Sequence, residues 1–268
     1  KIKKDKIYCV TNEEISFLKK KEYSLAWVGK ESPPKDYLRC DQENNIFFKE
    51  KFYSELTFHY WCWKNLLNKE NDDQWIGFCQ KRRYWIKSES KIKINKTNLN
   101  ENLLIGLDRN DNKFNSIICD PISVSGVRKI KLLKRGWKNL IKDPKILFKE
   151  NKQNLELHFD MHHGYGNLNK AINLLDDKDQ KDFREYVKNN TKFNPNIMFI
   201  AKKKIAQNWF NALFPWLERC ERVFGFNDLK GYDTTRLYAF LAERYLSFWF
   251  KKYSIFKEQK WIFLDLTD

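Results

Sequence analysis

Trp75-Ile76-Gly77-Phe78-Cys79-Gln80-Lys81-Arg82-Arg83-Tyr84-Trp85 is the stretch on which the fold turns. A compact apolar run at 75–79 suits a strand buried on both faces, and the cations that follow mark its emergence at the surface. In open α/β sheets, ligands sit at the carboxyl ends of strands. Arg82 and Arg83 are therefore candidate diphosphate ligands through charge-assisted hydrogen bonds. The competing reading is a pair of surface arginines, one of them salt-bridged to Glu55.

Upstream, Ile7–Thr11 reads as a first strand after a basic start, with a loop at Asn12. Thr11 follows that strand and is a candidate nucleotide contact. Pro33-Pro34 and polar neighbours make 32–50 mostly loop. Phe52, Leu56, Tyr60, Trp63 and Leu67 recur at helical spacing and predict an amphipathic helix, its tryptophans in the core. Downstream, 87–102 is polar and predicts a surface excursion, and 128–150 is Lys-rich and predicts a helical insertion. Between them Ser116–Cys119 reads as a strand stopped by Asp120-Pro121, which makes Asp120 a placed carboxylate or an ordinary turn residue.

Leu155, Leu157, Phe159 and Met161 alternate with Glu156, His158, Asp160 and His162. Period two predicts a strand with the ionisable groups on one face. That face offers a metal site of two imidazoles and a carboxylate, a general base beside a positioning histidine, or only a solvated edge. Asp160 is the first candidate base, with His162 orienting it or the acceptor, and Asp233 is the alternative. His163 opens a Gly-rich turn that favours access.

Asp177 with Gln180 resembles a capping box for a helix through Val187. Asn196–Ile200 reads as a strand, and Ile205 to Cys220 as a long helix kinked at Pro215 and ended by Gly225. Asp233 or Thr234 caps a last helix from Leu237, and Trp261–Leu264 closes the chain as a strand. Strands alternating with helices imply an α/β layer fold. No repeat or linker divides residues 1–268, so one domain is expected, with 87–150 as a surface excursion or insertion.

Composition bounds the function. The chain has 268 residues with 51 Lys+Arg against 35 Asp+Glu, a net +16. Its 16% aromatic content excludes a disordered chain, and 9 Gly with 6 Pro exclude a collagen-like one. Abundant Lys, Asn, Ile and Phe with scarce Ala match AT-rich codon usage, which puts Lys on solvated surfaces without any partner. The six cysteines include no CxxC pair and read as small buried hydrophobes of a reducing compartment. No signal-peptide core follows the basic start, so a cytoplasmic location is expected, with the inner membrane face as a place to rest. No dinucleotide loop, P-loop, nucleophile elbow or HExxH is present.

Phe52-Tyr53-Ser54-Glu55-Leu56-Thr57-Phe58-His59-Tyr60-Trp61-Cys62-Trp63-Lys64-Asn65 resembles the "SELT…YWxWKN" block of a bacterial capsule and O-antigen glycosyltransferase family long catalogued as a domain of unknown function. The 75–84 stretch is similar to its "GLxHYRRY", 196–200 to its "NMFI", and 236–244 to its "RxxGFLxER". Asp41 and Asn45 fall where the family has "D…NIS". Two departures stand out: Gln80-Lys81 replaces the family's His-Tyr, and Ala239 replaces a glycine.

The resemblance implies a GT-A-like, nucleotide-sugar-binding layered fold with a mixed central sheet. It implies transfer of a hexose, galactose-type among the options, from a UDP-linked donor to a surface-polysaccharide or lipid-linked glycan. Asp41 and Asn45 then join Thr11, Arg82 and Arg83 at the donor, and Glu55, Asp120, His163, Asn196 and Arg236 become acceptor or positioning residues. No cofactor is expected: Arg82 and Arg83 stand where a GT-A enzyme usually carries its metal-binding Asp-x-Asp, and Mn2+ or Mg2+ is the less favoured option. An anionic membrane surface is a further expected partner, and nucleic acid is not. Two other readings remain: a basic nucleic-acid or anionic-surface binding module, and a member of the family that has lost activity through Gln80-Lys81.

Overall fold

The computed structural model describes residues 5–18, 22–89, 93–105 and 113–265. The chain divides into two compact units. Unit 1 comprises 1–120, 196–212 and 249–268, and unit 2 comprises 121–195 and 213–248.

Unit 1 is built on strands β1 (Lys6–Thr11), β2 (Tyr23–Trp27), β3 (Leu38–Arg39), β4 (Trp75–Gln80), β5 (Arg83–Trp85) and β6 (Ser116–Cys119). Two-residue strands β7 (Ile122–Ser123) and β8 (Lys192–Phe193) belong to unit 2. Strands β9 (Phe199–Lys202), β10 (Phe256–Gln259) and β11 (Trp261–Phe263) complete unit 1. Its sheet runs β10-β6-β9-β4-β1-β2-β3, with β5 and β11 branching from β4. Strands β4, β1, β2 and β3 are mutually parallel, and β9 is antiparallel to both β4 and β6. The expected mixed central sheet is therefore present.

Parity within the strands explains both layers. On one face Tyr8, Phe78 and Phe199 form an aromatic floor. Helix α1 (Glu50–Tyr53) leads into α2 (Leu56–Asn65), whose Phe58 and His59 pack on that floor at 4.2–5.3 Å. On the other face Ile7, Cys9, Trp75, Cys79, Ile117, Cys119 and Ile200 cluster with Tyr84, Trp85 and short helix α3 (Leu99–Asn102). Polar though 87–102 is, it gives Ile94 and Leu99 to this core. All six cysteines are buried, free thiols.

The predicted helix from Phe52 is two helices. Ser54 between them has φ 52°, a left-handed conformation outside any helix. The buried face is Leu56, Phe58, His59, Trp61 and Cys62, whereas Trp63 is half-buried under Lys64 at 3.6 Å. The aromatic floor beneath α2, which spacing alone does not reveal, selects that face.

Unit 2 is helical: α4 (Lys129–Arg135), α5 (Trp137–Lys142), α6 (Leu155–His163), α7 (Asn167–Ile172) and α8 (Asp177–Asn189). Helices α9 (Lys203–Phe224) and α11 (Leu237–Tyr253) each contribute to both units, and short α10 (Tyr232–Thr235) lies in unit 2. Helix α9 continues through Pro215, and Gly225 follows it at φ 58°. Helix α8 starts one residue earlier than a capping box at Asp177 requires: Asp176 is the N-cap, without a side-chain capping bond, and Gln180 turns back to the Leu175 carbonyl at 2.9 Å.

The predicted strand at 155–162 is helix α6, capped by the Asn154 side chain on the Leu157 N–H at 2.9 Å. Its ionisable groups do not share a face. His158 and His162, one turn apart, stack at 4.4 Å, while Asp160 turns away to Asn139. Apolar residues alternate in the sequence because 155, 157, 159 and 161 are all buried, inside a helix enclosed on more than one side.

Gly77 lies at the tightest point of the sheet. A Cβ there would meet Ile200 Cγ1 at 2.8 Å and Ile7 Cγ1 at 3.1 Å, from the two flanking strands. Gly77→Ala is expected to destabilise the protein by about 1–3 kcal/mol through overpacking. A thermal melt would show a midpoint several degrees lower, and an unchanged midpoint would contradict this account of the sheet centre.

Candidate functional site

Strand direction brings together six of the candidate residues in unit 1. Strands β1, β2, β3 and β4 run parallel, β6 runs in the same sense, and β9 runs against them. The carboxyl ends of β1, β3, β4 and β6 and the amino end of β9 therefore lie along one sheet edge. That edge carries Thr11, Asp41, Arg82, Arg83, Asp120 and Asn196.

Strand β1 has β2 on one side and β4 on the other, so the winding direction reverses there. Such a switch point opens a crevice at the carboxyl ends of the strands, the usual ligand site of doubly wound sheets. Two backbone bonds close its floor: Val28 N–H to Thr11 O and Lys81 N–H to Val10 O, both 2.9 Å.

The β4–β5 turn supplies the cations. Arg82 sits in it at φ 69°, held by the Leu264 N–H on its carbonyl at 2.7 Å. Its Nε is buried and has no hydrogen-bond partner among the described residues. Arg83 opens β5 with its guanidinium 5.4 Å from the Phe263 ring centre. Neither arginine forms an ion pair with a described carboxylate, Glu55 included. Lys81 differs: its Nζ bonds Glu13 Oε1 at 2.7 Å, and this bond, with Arg82 nearby, holds the Glu13 carboxyl below its usual range.

The other candidates on this edge are more committed. The Thr11 hydroxyl donates to Glu13 O at 2.6 Å and accepts the Glu13 N–H at 3.0 Å, shaping the loop after β1. Asp41 takes a bidentate contact from Arg39 at 2.6 and 3.0 Å, which lowers its pKa. Asn45 caps its own loop through the Phe47 N–H at 3.0 Å. Asp120, raised chiefly by burial and then by Glu258, accepts the Trp261 indole N–H on its carbonyl at 3.2 Å. Asn196 is buried at φ 67° just before β9. Glu55, half-buried, starts α2, and its carbonyl takes the Phe58 N–H at 3.1 Å.

In unit 2 the candidates gather around α6. Asp160 accepts from Asn139 Nδ2 at 2.7 Å and from the Gly166 N–H at 2.9 Å, and burial raises its pKa against both bonds. His163 stacks on Phe240 at 3.7 Å and donates from Nδ1 to the Asp233 carbonyl at 2.8 Å. His162 donates from Nδ1 to the His158 carbonyl at 2.9 Å, not to Asp160. The Asp233 carboxylate is about half exposed, 3.5 Å from Arg135. Arg236 lies 5.8 Å from the Tyr232 ring centre.

His158, read from the sequence as one of two imidazoles on a shared face, is instead paired with Arg244. Arg244 is 1% exposed, lies 3.8 Å over the Phe193 ring and donates from Nη2 to His158 Nδ1 at 2.8 Å. This bond places the His158 proton on Nε2, and burial followed by the Arg244 charge pushes its pKa down to about 2. No cluster of three or more His, Cys, Asp or Glu able to hold a metal occurs among the described residues. No helix among them is long and apolar enough to cross a membrane.

The sheet is that of an α/β protein whose winding reverses at β1, with Arg82 and Arg83 at the edge of that switch point. The chain belongs to the family described as "Domain of unknown function (DUF4422)", which matches residues 6–254. Among solved structures, the apo form of the bifunctional glycosyltransferase WbbM is similar, with a TM-score of 0.67 and 20% identity. The match covers 98% of this chain and 46% of that one, so the chain spans about half the length of the protein it resembles. At that identity the likeness is one of fold. No curated protein matches.

The buried histidines set an acid limit on stability. Burial pushes His59 and His163 down to about 3 and His158 to about 2. Their unfolded value is about 6.5, so below that pH the unfolded chain binds protons that the folded one refuses. Their contribution is complete above about pH 6.5 and lost as pH falls, by up to about 1.4 kcal/mol per pH unit for each histidine. Asp160 works the other way, since its raised carboxyl is protonated first in the folded state. The thermal midpoint is expected to drop steadily from pH 7 to pH 5, and a flat profile would contradict this assignment.

Proposed function

We propose that the chain is a glycosyltransferase that holds a nucleotide-sugar donor at the β1/β4 switch point of unit 1. The carrying observation is the pair of guanidinium groups at Arg82 and Arg83, without ion-pair partners among the described residues, at the carboxyl end of β4. The fold shared with a glycosyltransferase supports the reading. The donor is a uridine-linked hexose, galactose-type among the options. The acceptor is a surface polysaccharide or a lipid-linked glycan.

The chemistry is a displacement at the anomeric carbon. The acceptor oxygen forms the new bond, the bond to the diphosphate oxygen breaks, and the nucleoside diphosphate leaves with the electron pair. Charge grows on that leaving group, and fixed cations aimed at it stabilise the transition state more than the ground state. The end of β4 offers Lys81, Arg82 and Arg83 where a carboxylate pair would be needed to hold a divalent ion, so no step is routed through a metal.

The acceptor hydroxyl loses its proton to a carboxylate within hydrogen-bond reach. Of the two carboxylate candidates, Asp160 and Asp233, the second is the less engaged. Asp160 is buried with both oxygens engaged by Asn139 and Gly166, while the Asp233 carboxylate is about half exposed.

Donor binding is tested by calorimetric titration of UDP in excess chelator. Arg82→Ala is expected to weaken binding at least tenfold, about 1.4 kcal/mol. Parent-like affinity in the variant, or binding only after manganese is restored, would refute the assignment. For the base, Asp233→Asn is expected to lower turnover at least a hundredfold, with Asp160→Asn losing less than tenfold, in a transfer assay with UDP-hexoses. The reverse order would return the role to Asp160.

A further inference from the structure

Residues 128–149 hold nine basic side chains and one acidic one, a net +8 out of +16 for the whole chain. Half of the net charge thus lies on 22 residues, most of them in α4 and α5 of unit 2. Codon usage would scatter lysines instead.

The same segment exposes an apolar stripe. Leu132, Leu140 and Ile146 face inward and pack with Leu157 and Met161. Ile130, Leu133, Trp137 and Ile141 follow at spacings of three and four and point outward, at 69%, 56%, 53% and 72% exposure, and Phe148 extends them at 77%. These are five of the twelve large exposed hydrophobics among the described residues. Single exposed apolar residues are ordinary, but a row of five is not. The cations flank the row: Lys138 lies 5.6 Å from the Trp137 ring centre, and Lys129 lies 5.3 Å from that of Phe148.

We propose that α4 and α5 form an in-plane docking surface for an anionic lipid bilayer. Amphipathic segments with Lys or Arg beside Trp, Phe and Leu lie in the headgroup region, their apolar groups in the acyl boundary and their ammonium groups at the phosphates. Charge complementarity selects this occupant over a neutral one. Three of the five, Ile130, Leu133 and Ile141, are aliphatic, and seven of the nine cations are Lys, which selects lipid over nucleic acid, where stacking aromatics and arginines would be expected. Lipid-linked acceptors lie in such a surface, so the proposal extends the transferase reading, but its test needs no transfer.

The experiment is co-sedimentation of the full chain with vesicles of phosphatidylcholine alone or with 30% phosphatidylglycerol. At least tenfold stronger partitioning onto the anionic vesicles is expected, weakening as salt rises. The surface variant W137S/I141S should lose at least tenfold of that binding with its thermal midpoint unchanged, and K134E/K138E should lose a similar amount. Equal binding to both vesicle types, or parent-like binding by W137S/I141S, would overturn the proposal. So would a parent that ignores vesicles while binding single-stranded RNA or self-associating through the stripe. Failure of UDP to bind would leave the vesicle result standing, and the reverse also holds.

Discussion

Strand β4 bonds to β1 on one side and β9 on the other, and all six of its residues are buried. That double enclosure is the constraint on which the rest of the structure depends. Each residue must suit two neighbours and two faces at once. Gly77 is small because Ile7 and Ile200 approach it from both sides, and Phe78 is large because α2 closes over it. Polar residues are admitted only where the strand ends. The cations of 81–83 are placed at the switch point by the same pairing that buries 75–79. Core and candidate ligand site are two ends of one strand.

Elements buried on both faces were the most legible in the sequence. Strands β1, β4 and β6 follow from apolar runs, as does the less buried β11, and helix α9 follows from its long helical period. Strand β2 was not read: Tyr23-Ser24-Leu25-Ala26-Trp27 mixes polar and apolar groups and takes its identity from pairing with β1. Helix α6 was misread for the opposite reason. Its surroundings bury Leu155, Leu157, Phe159 and Met161 together, so a period of two arose from enclosure rather than from a pleat. Local pattern reports burial, and burial has more than one geometric cause.

The candidate site divides along the same line. Arg82 and Arg83 were legible because their place depends only on the strand before them. The engagement of Asp160 by Asn139 and the Arg244–His158 pair depend on partners 21 and 86 positions away. Spacing within one segment carries no trace of such partners. The buried cation of α11 is Arg244, whose anchor His158 belongs to α6.

The unbridged cysteines give the sheet a built-in set of reporters. Cys9 and Cys79 are register partners on β1 and β4, Cys119 ends β6 in the same core cluster, and burial pushes the Cys79 thiol well up. A thiolate is the species that reacts with alkylating reagents, so Cys79 is silent while the strands stay paired, and all three thiols are shielded by burial. Cys40 and Cys220, pushed up to about 12, are silent in the same way in units 1 and 2. Alkylation under native conditions thus proceeds through opened forms of the chain. The order in which the six thiols become labelled would rank the breathing of each strand and helix without adding any probe to the protein.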